Sequence, residues 1–599
     1  MYKAIVIGSG CAGLACAARL NSWGAGRIAI VTEDINGGTS LNTGSDKQTY
    51  YKLSLGGNKA DSVMDFAKDL YAGGGINGEM ALIEAANSAR AFLYLCELGV
   101  NFPVNEYGEY IGYRTDHDTH KRAVSCGPLT SKYMTEVLEL EINRQGVEIY
   151  NFLRAVKLIV KDNTVHGAIF IDTRNDELVR INAEHIILAT GGEASVYENS
   201  VFPPSQWGGM GLFFDAGAVF HNMNCWQYGI ASKDFRWNLS GSYQQALPRY
   251  VTKDKDGVIT ELLPKYIDDN ADILNKVFLK GYEWPFDVKK LSGSSFIDII
   301  VHHETMVLGN TVYLDYRTNP SGLENGFGIL SPVCISYLKN CNALLNTPIK
   351  RLRAMNEKAY QLYLSHNIDL EKDLLKIRVA AQHQNGGAAV DMNYETSVKN
   401  LFAIGEAAGV FGAYRPGGSA LNSTQVGAFR AAQEIVNRPS GAVFSDEDEL
   451  LELEKRLKSA VDNGGIDHMK LLSDIKVNMS SFAGIVRNMG KIDYLLNELA
   501  PLAENYFDTV SVSDSTLTSY LKTRDTLLTS CCILSAAKKS AKEQGSVGSA
   551  VIYENENSPQ HLPVCEENSK KIIETKGLAS TLKAPSEIPE REIWFENLL

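Results

Sequence analysis

The chain opens on an apolar run, YKAIVIG at residues 2–8, which ends in glycine. A run this short, rich in branched residues and bounded by a turn residue, reads as a strand buried on both faces. LACAARLNSW follows as a helix, and RIAIVTE as a second buried strand ending at Glu33. Two further runs have the same character, HIILATGG at 185–192 and NLFAIGEAAG at 400–409. GGSALNSTQVGAFRAAQEI then predicts a helix opening near Ser419 and Ala420. Strand, helix and strand in alternation predict an α/β fold with a parallel sheet. Residues 230–345 are less regular and carry many Trp, Tyr and Lys. From residue 445, SDEDELLELEKRLKSA predicts a helix: Ser445 precedes an acidic first turn, and Leu450, Leu451, Leu453 and Leu457 form an apolar face.

A length of 599 residues predicts two to four domains, and 44% apolar with 22% charged residues is ordinary globular composition. A net charge of −13 excludes a broad phosphate-binding surface, so no nucleic acid is expected. The ten cysteines form no C-x-x-C and no paired zinc or iron–sulfur spacing, and most lie in apolar stretches. Free thiols of this kind fit a reducing cytoplasm. No stretch of about 18 apolar residues occurs, so no transmembrane segment and no signal segment is expected.

The first chemistry lies at Gly8, Gly10 and Gly13, in G-x-G-x-x-G spacing between the first strand and its helix. Gly8 would make the tight turn, Gly10 would let backbone approach a pyrophosphate, and Gly13 would let helix pack on strand. Cys11 and Ala12 lie at the amino terminus of that helix, whose free N–H groups and positive dipole end suit phosphate. Glu33, 20 residues after Gly13, would accept from ribose hydroxyls. The strands ending at Ala189, Thr190 and Gly191, and at Gly405 and Glu406, add the return to the first fold that two-domain FAD proteins make. FAD is therefore expected rather than NAD.

With these stretches in place, the chain resembles the flavoprotein subunits of succinate dehydrogenase and fumarate reductase, together with L-aspartate oxidase. The resemblance rests on IGSGCAGL, ATGG, MGLFFDAGAVFHNMNCWQYG, QHQNGGAAVD, NLFAIGEAAG and RPGGSALNSTQVGAFRAA, in that order, and on MSSFAGIVRN and LSAAKKSAKEQGS beyond them. It covers roughly residues 1–545. It implies a discontinuous Rossmann-like FAD-binding domain at 1–229 and 346–440, an α+β capping domain at 230–345, a helical domain at 441–545 and a tail at 546–599. It also implies that His383, before the Gly-Gly pair, and Arg415, after the G-E motif, bind a substrate carboxylate. The helix opening at Ser419, Ala420 and Leu421 would point its amino terminus at the flavin.

Three departures qualify the likeness. Tyr228 and Gly229 stand where the family has Phe and a carboxylate-binding His. LSGSSFIDIIVHHET, at 291–305, lacks the arginines of the family's proton-shuttle segment, and His302 and His303 could take that role, with Tyr228 and Arg249 behind them. NGGTSLNTGSDKQTYYKL, from residue 36, has no histidine for covalent attachment, so FAD is expected to be held non-covalently. Gly38, Thr39, Ser40 and Thr43 in that segment still suit a loop laid over the flavin. The expected function is an FAD-dependent oxidoreductase that moves a hydride between flavin N5 and a small anionic, carboxylate-bearing substrate. An amino-acid oxidase like L-aspartate oxidase and an electron-relay member of a larger complex remain open. Electrons would leave through another protein, oxygen or a second substrate, and oligomers are possible.

Overall fold

The computed structural model describes residues 1–115, 118, 120–441, 448–462, 464–512, 516–544, 548–553 and 584–590. Strand β1 (Tyr2–Ile7) is buried throughout and leads into helix α1 (Cys11–Ser22) and strand β2 (Ile28–Val31). Strands β3 (Glu148–Tyr150), β4 (Leu153–Lys161), β5 (Thr164–Asp172) and β6 (Leu178–Leu188) follow. β1 pairs in parallel with β2, Ala4 opposite Ile28, and with β6, Ala4 opposite His185. β3 extends this sheet beside β2, while β4, β5 and β6 form an antiparallel meander at its other side. The parallel register puts the carboxyl ends of β1, β2 and β6 side by side. Ligands of doubly wound sheets bind at such a crest.

A second sheet is antiparallel. It comprises β7 (Trp226–Ser232), β8 (Arg249–Lys253), β9 (Ile259–Glu261), β10 (Val312–Asp315) and β11 (Leu375–Gln384), ordered β7-β11-β10-β8-β9. Helix α2 (Ser295–His302) packs on β7 and β11. This sheet runs across the boundaries expected from the sequence: β7 spans residue 229, and β11 lies beyond residue 345. Strand β12 (Leu401–Ala403) returns to the first sheet, pairing in parallel with β6, Leu401 opposite Ile186. Helix α3 (Ser419–Asn437) then packs on α1.

In the carboxy-terminal region, helix Asp448–Asp462 buries Leu453 and Leu457. Leu451 is 58% exposed, because one residue of helix turns it about 100° away from Leu450. The expected start at Ser445 lies outside the described residues, as does most of the expected tail. Helix α4 (Leu517–Gln544) sends Lys522 to Glu33, just beyond β2, and Asp525 to Arg154 of β4. No described helix is long and apolar enough to cross a membrane.

Candidate active site

A cavity of about 610 Å³ runs from the turn after β1 to the second sheet. At its first end, two glycines are dictated by space. Gly8 has φ +111°, and a Cβ on it would overlap the Ala189 carbonyl. A Cβ on Gly13 would overlap the Gly8 carbonyl, so helix α1 sits against its strand only with glycine there. No side chain caps α1 at Gly10, although Ser40 Oγ accepts from the Cys11 N–H at 3.2 Å. The free amides of the first turn and the positive helix end are left facing the cavity.

The loop over this end holds Gly38, Thr39, Ser40 and Thr43, all lining the cavity. Thr43 Oγ1 donates to the Val201 carbonyl at 2.6 Å. The hydroxyls of Thr39 and Thr190 are buried with no hydrogen-bond partner, which a bound polar group would satisfy. Gly10, Cys11, Ala12, Ala189, Gly191 and Gly405 complete the motif residues that the fold gathers here. Gly405 has φ +64°, and a Cβ on it would press on the Ala12 side chain. These features suit a dinucleotide: amides at the helix end for a pyrophosphate, and unpartnered hydroxyls beside it.

Glu33 also lines the cavity, and sequence reasoning missed its partners. Arg154 donates to it at 3.2 Å, and Lys522 of α4 pairs with its other oxygen. Arg154 also donates to Asp525 at 2.7 Å. The carboxy-terminal helix therefore supplies a cation to the acid at the end of β2, from 489 residues away in sequence. No local pattern signals such a pair.

At the other end of the cavity, β11 and β7 present His383 and Gln227 as register partners. Asn385 Nδ2 donates to the Gly412 carbonyl at 2.8 Å, which turns Asn385 Oδ1 toward His383 Nδ1 at 3.0 Å. An acceptor at that distance places the ring proton on Nδ1 and leaves a lone pair on Nε2. Burial pushes the His383 pKa well below the ordinary range, and the nearby Arg415 guanidinium adds to this. The ring is thus neutral at physiological pH. With Nδ1 engaged by Asn385, Nε2 is the ring nitrogen that remains for a ligand. Glu406 Oε1 lies 3.9 Å from Nε2, and burial raises the Glu406 pKa to about 7. The Gln384 N–H donates to the same oxygen at 2.7 Å.

Arg415 is buried, and its Nη2 donates to Gln227 Oε1 at 2.6 Å. Its Nη1 lies 3.5 Å from Ser419 Oγ, and its Nε has no partner. Desolvation lowers its pKa to about 10, with Glu406 opposing the shift. It remains a cation. Helix α3 begins beside it, with Gly418 at φ +94° and no side-chain cap; Ala420 and Leu421 line the cavity, whereas Ser419 packs behind them and donates to the Pro416 carbonyl.

The expected proton donors are not brought here. His302 and His303 are buried at the end of α2 and line no part of the cavity. Burial lowers the His302 pKa to about 4, with His303 adding to it. Tyr228 alternates with Gln227 along β7, so its side chain leaves the cavity; its hydroxyl donates to Tyr197 at 2.8 Å. Arg249 pairs with Asp315 at 2.9 Å on the far strands of the sheet. In their place the structure gathers Gln227, Gln382 and Trp284, of which Gln227 and Gln382 sit inside motifs the sequence had already marked.

Comparison with known proteins fits this geometry. The family described as FAD binding domain matches residues 3–421. One chain of the fumarate reductase (CoM/CoB) of Methanothermobacter marburgensis is 24% identical over 77% of this chain and 80% of its own. L-aspartate oxidase of Yersinia pestis is 23% identical over 86% of this chain and 90% of its own. Among solved structures, Sdh1 of Mycobacterium smegmatis shares the fold with a TM-score of 0.69, at 19% identity over 92% of this chain and 88% of that one.

Proposed function

Because the chain belongs to the FAD binding domain family of oxidoreductases, alongside fumarate reductase and L-aspartate oxidase flavoproteins, we propose that it moves a hydride between FAD and a carbon of a small carboxylate-bearing substrate. The observation that carries this reading is the presence in one cavity of a buried guanidinium with no carboxylate hydrogen-bonded to it, Arg415, and a neutral imidazole, His383, held at Nδ1 by Asn385.

FAD, when bound, supplies acceptance or return of the hydride. The loop residues Gly8, Gly10, Thr39, Ser40 and Thr190 would hold it, with Glu33 at the ribose and without a covalent bond. The rest falls to side chains of this chain. Arg415 offers a planar fork to one substrate carboxylate, and Gln227 fixes the fork's direction. His383 takes the proton lost from the neighbouring carbon or nitrogen onto Nε2, or returns it in the reverse direction. Its Nδ1 proton stays with Asn385 throughout. Glu406 favours the protonated ring once formed, through a carboxylate 3.9 Å away. The second sheet walls one side of the site through Gln227, Gln382 and His383. Electrons would pass to a separate acceptor, as befits a relative of multi-subunit flavoproteins.

The test is anaerobic titration of the FAD-loaded protein with a panel of carboxylates bearing C–C or C–N bonds to oxidise. Bleaching by one of them, lost in Arg415→Ala, supports the reading. Bleaching by dithionite alone would replace it with an electron relay whose chemistry lies in partner chains.

A further inference from the structure

The position where a second carboxylate ligand was expected, residue 229, is glycine. The space a side chain would fill there is taken. A Cβ on Gly229 would lie 2.7 Å from Trp284 Nε1 and 3.1 Å from Gln382 Nε2. Both groups line the cavity. Gln382 is only 7% exposed, yet neither its amide nitrogen nor its amide oxygen has a hydrogen-bond partner, and Trp284 Nε1 has none either. An orphaned buried amide is costly unless something binds it. Two neutral donors and one neutral acceptor thus lie unpartnered around residue 229, Gln382 from the strand that carries His383 and Trp284 from the segment before α2, in the cavity that Arg415 also lines.

The charge around this point is equally specific. Among the described residues lining the cavity, Arg415 is the buried cation with no carboxylate bonded to it. Arg154 is held by Glu33 and Asp525. Arg114 is exposed, and Lys47 stands 5.8 Å from the Tyr113 ring. The lining beyond Trp284 is neutral: Tyr282 and Tyr337 stack edge to face at 5.6 Å, and Tyr337 donates to Gln245 at 2.8 Å. The ionisable groups that this side adds are the acid Asp46, buried against Ser242, and the half-buried Lys47 next to it in the chain, whose charge falls on Asp46. A second carboxylate placed against Gln382 and Trp284 would lose its hydration and gain no buried cation beyond Arg415.

We infer that the substrate is a monocarboxylate whose second polar group is neutral, a carboxamide or a comparable donor–acceptor pair, read by Gln382 and Trp284 while Arg415 holds the acid. This rests on the reading of Arg415 as the anion clamp. A carboxamide matches the site atom for atom: its carbonyl accepts from the Gln382 amide and the indole N–H, and its NH2 donates to Gln382 Oε1. Specificity then comes from refusing a charge, not from adding one.

The experiment compares matched pairs of probes on the FAD-loaded protein: succinate with succinamate, fumarate with fumaramate, and aspartate with asparagine. Dissociation constants are read from perturbation of the flavin absorbance. In at least one pair the amide should bind about tenfold or more tightly than the diacid. Trp284→Phe, which keeps the ring and removes the donor, and Gln382→Leu should each shrink that ratio to about threefold or less, with FAD content unchanged. Diacids binding as tightly as amides, or no binding by any pair, would overturn the inference. So would a ratio that survives both substitutions. Failure of the clamp itself reads differently: Arg415→Ala would then leave amides and diacids binding as before.

Discussion

Arg415 and Gln227 meet at 2.6 Å, and that bond directs a buried guanidinium without neutralising it. The acceptor is an amide oxygen, so the cation keeps its full charge for a ligand. Replacing Arg415 by Ala should lower kcat/KM about ten- to two-hundredfold, from a charge-assisted hydrogen bond worth about 1.5–3 kcal/mol. FAD should stay bound. Steady-state kinetics beside a flavin spectrum measures both, and an unchanged kcat/KM would make Arg415 structural.

His383 depends on Asn385 for its tautomer. His383→Gln should cost about 10² to 10⁴ in rate, the usual worth of a positioned acid or base. Asn385→Leu frees Nδ1 and should lower kcat with little change in KM, because the ring is still present but its accepting nitrogen is no longer defined. A KM effect without a kcat effect would assign both residues to binding alone.

The loop from Gly37 to Thr43 carries no histidine, and its cavity-lining hydroxyls make or await hydrogen bonds. Acid precipitation should therefore release the flavin into the supernatant. Colour retained by the washed pellet would mean a covalent link from another residue.

Gly13 has no room for a methyl group, since it would overlap the Gly8 carbonyl. Gly13→Ala should push α1 off its strand and cost more than about 1–3 kcal/mol, the range of overpacking in a tight core. Purified variant should carry little FAD and melt earlier. Full FAD content at an unchanged melting temperature would contradict the packing described above.

His302, no longer a candidate donor, should appear in the pH dependence of stability. Its folded pKa, about 4, is depressed from 6.5 by burial. Between these values the unfolded chain binds a proton that the folded one refuses, so stability falls as pH drops from about 6.5 to 4. The loss approaches about 3 kcal/mol at the lower end. His302→Gln should flatten that limb in urea unfolding measured at several pH values. An unaltered slope would place the titration elsewhere.

What the sequence determined by itself was local. A G-x-G-x-x-G turn needs glycine for reasons confined to one strand and one helix, and the short apolar runs announce strands because burial on both faces leaves no polar alternation. So the nucleotide fold, the loop over it, and His383 and Arg415 as residues of the cavity were legible. The tertiary structure decided what depends on two segments meeting. Alternation along β7 sends Gln227 inward and Tyr228 outward, but only the pairing with β11 says which side is the cavity. The His302 and His303 pair looks reactive as a string, yet α2 buries it in the packing on the second sheet. Glu33 meets Lys522 from 489 residues away, and Gly229 gains its meaning from an indole and an amide that fold over it. Such contacts have no sequence period, because they are set by how sheets and helices stack rather than by the repeat of any one of them.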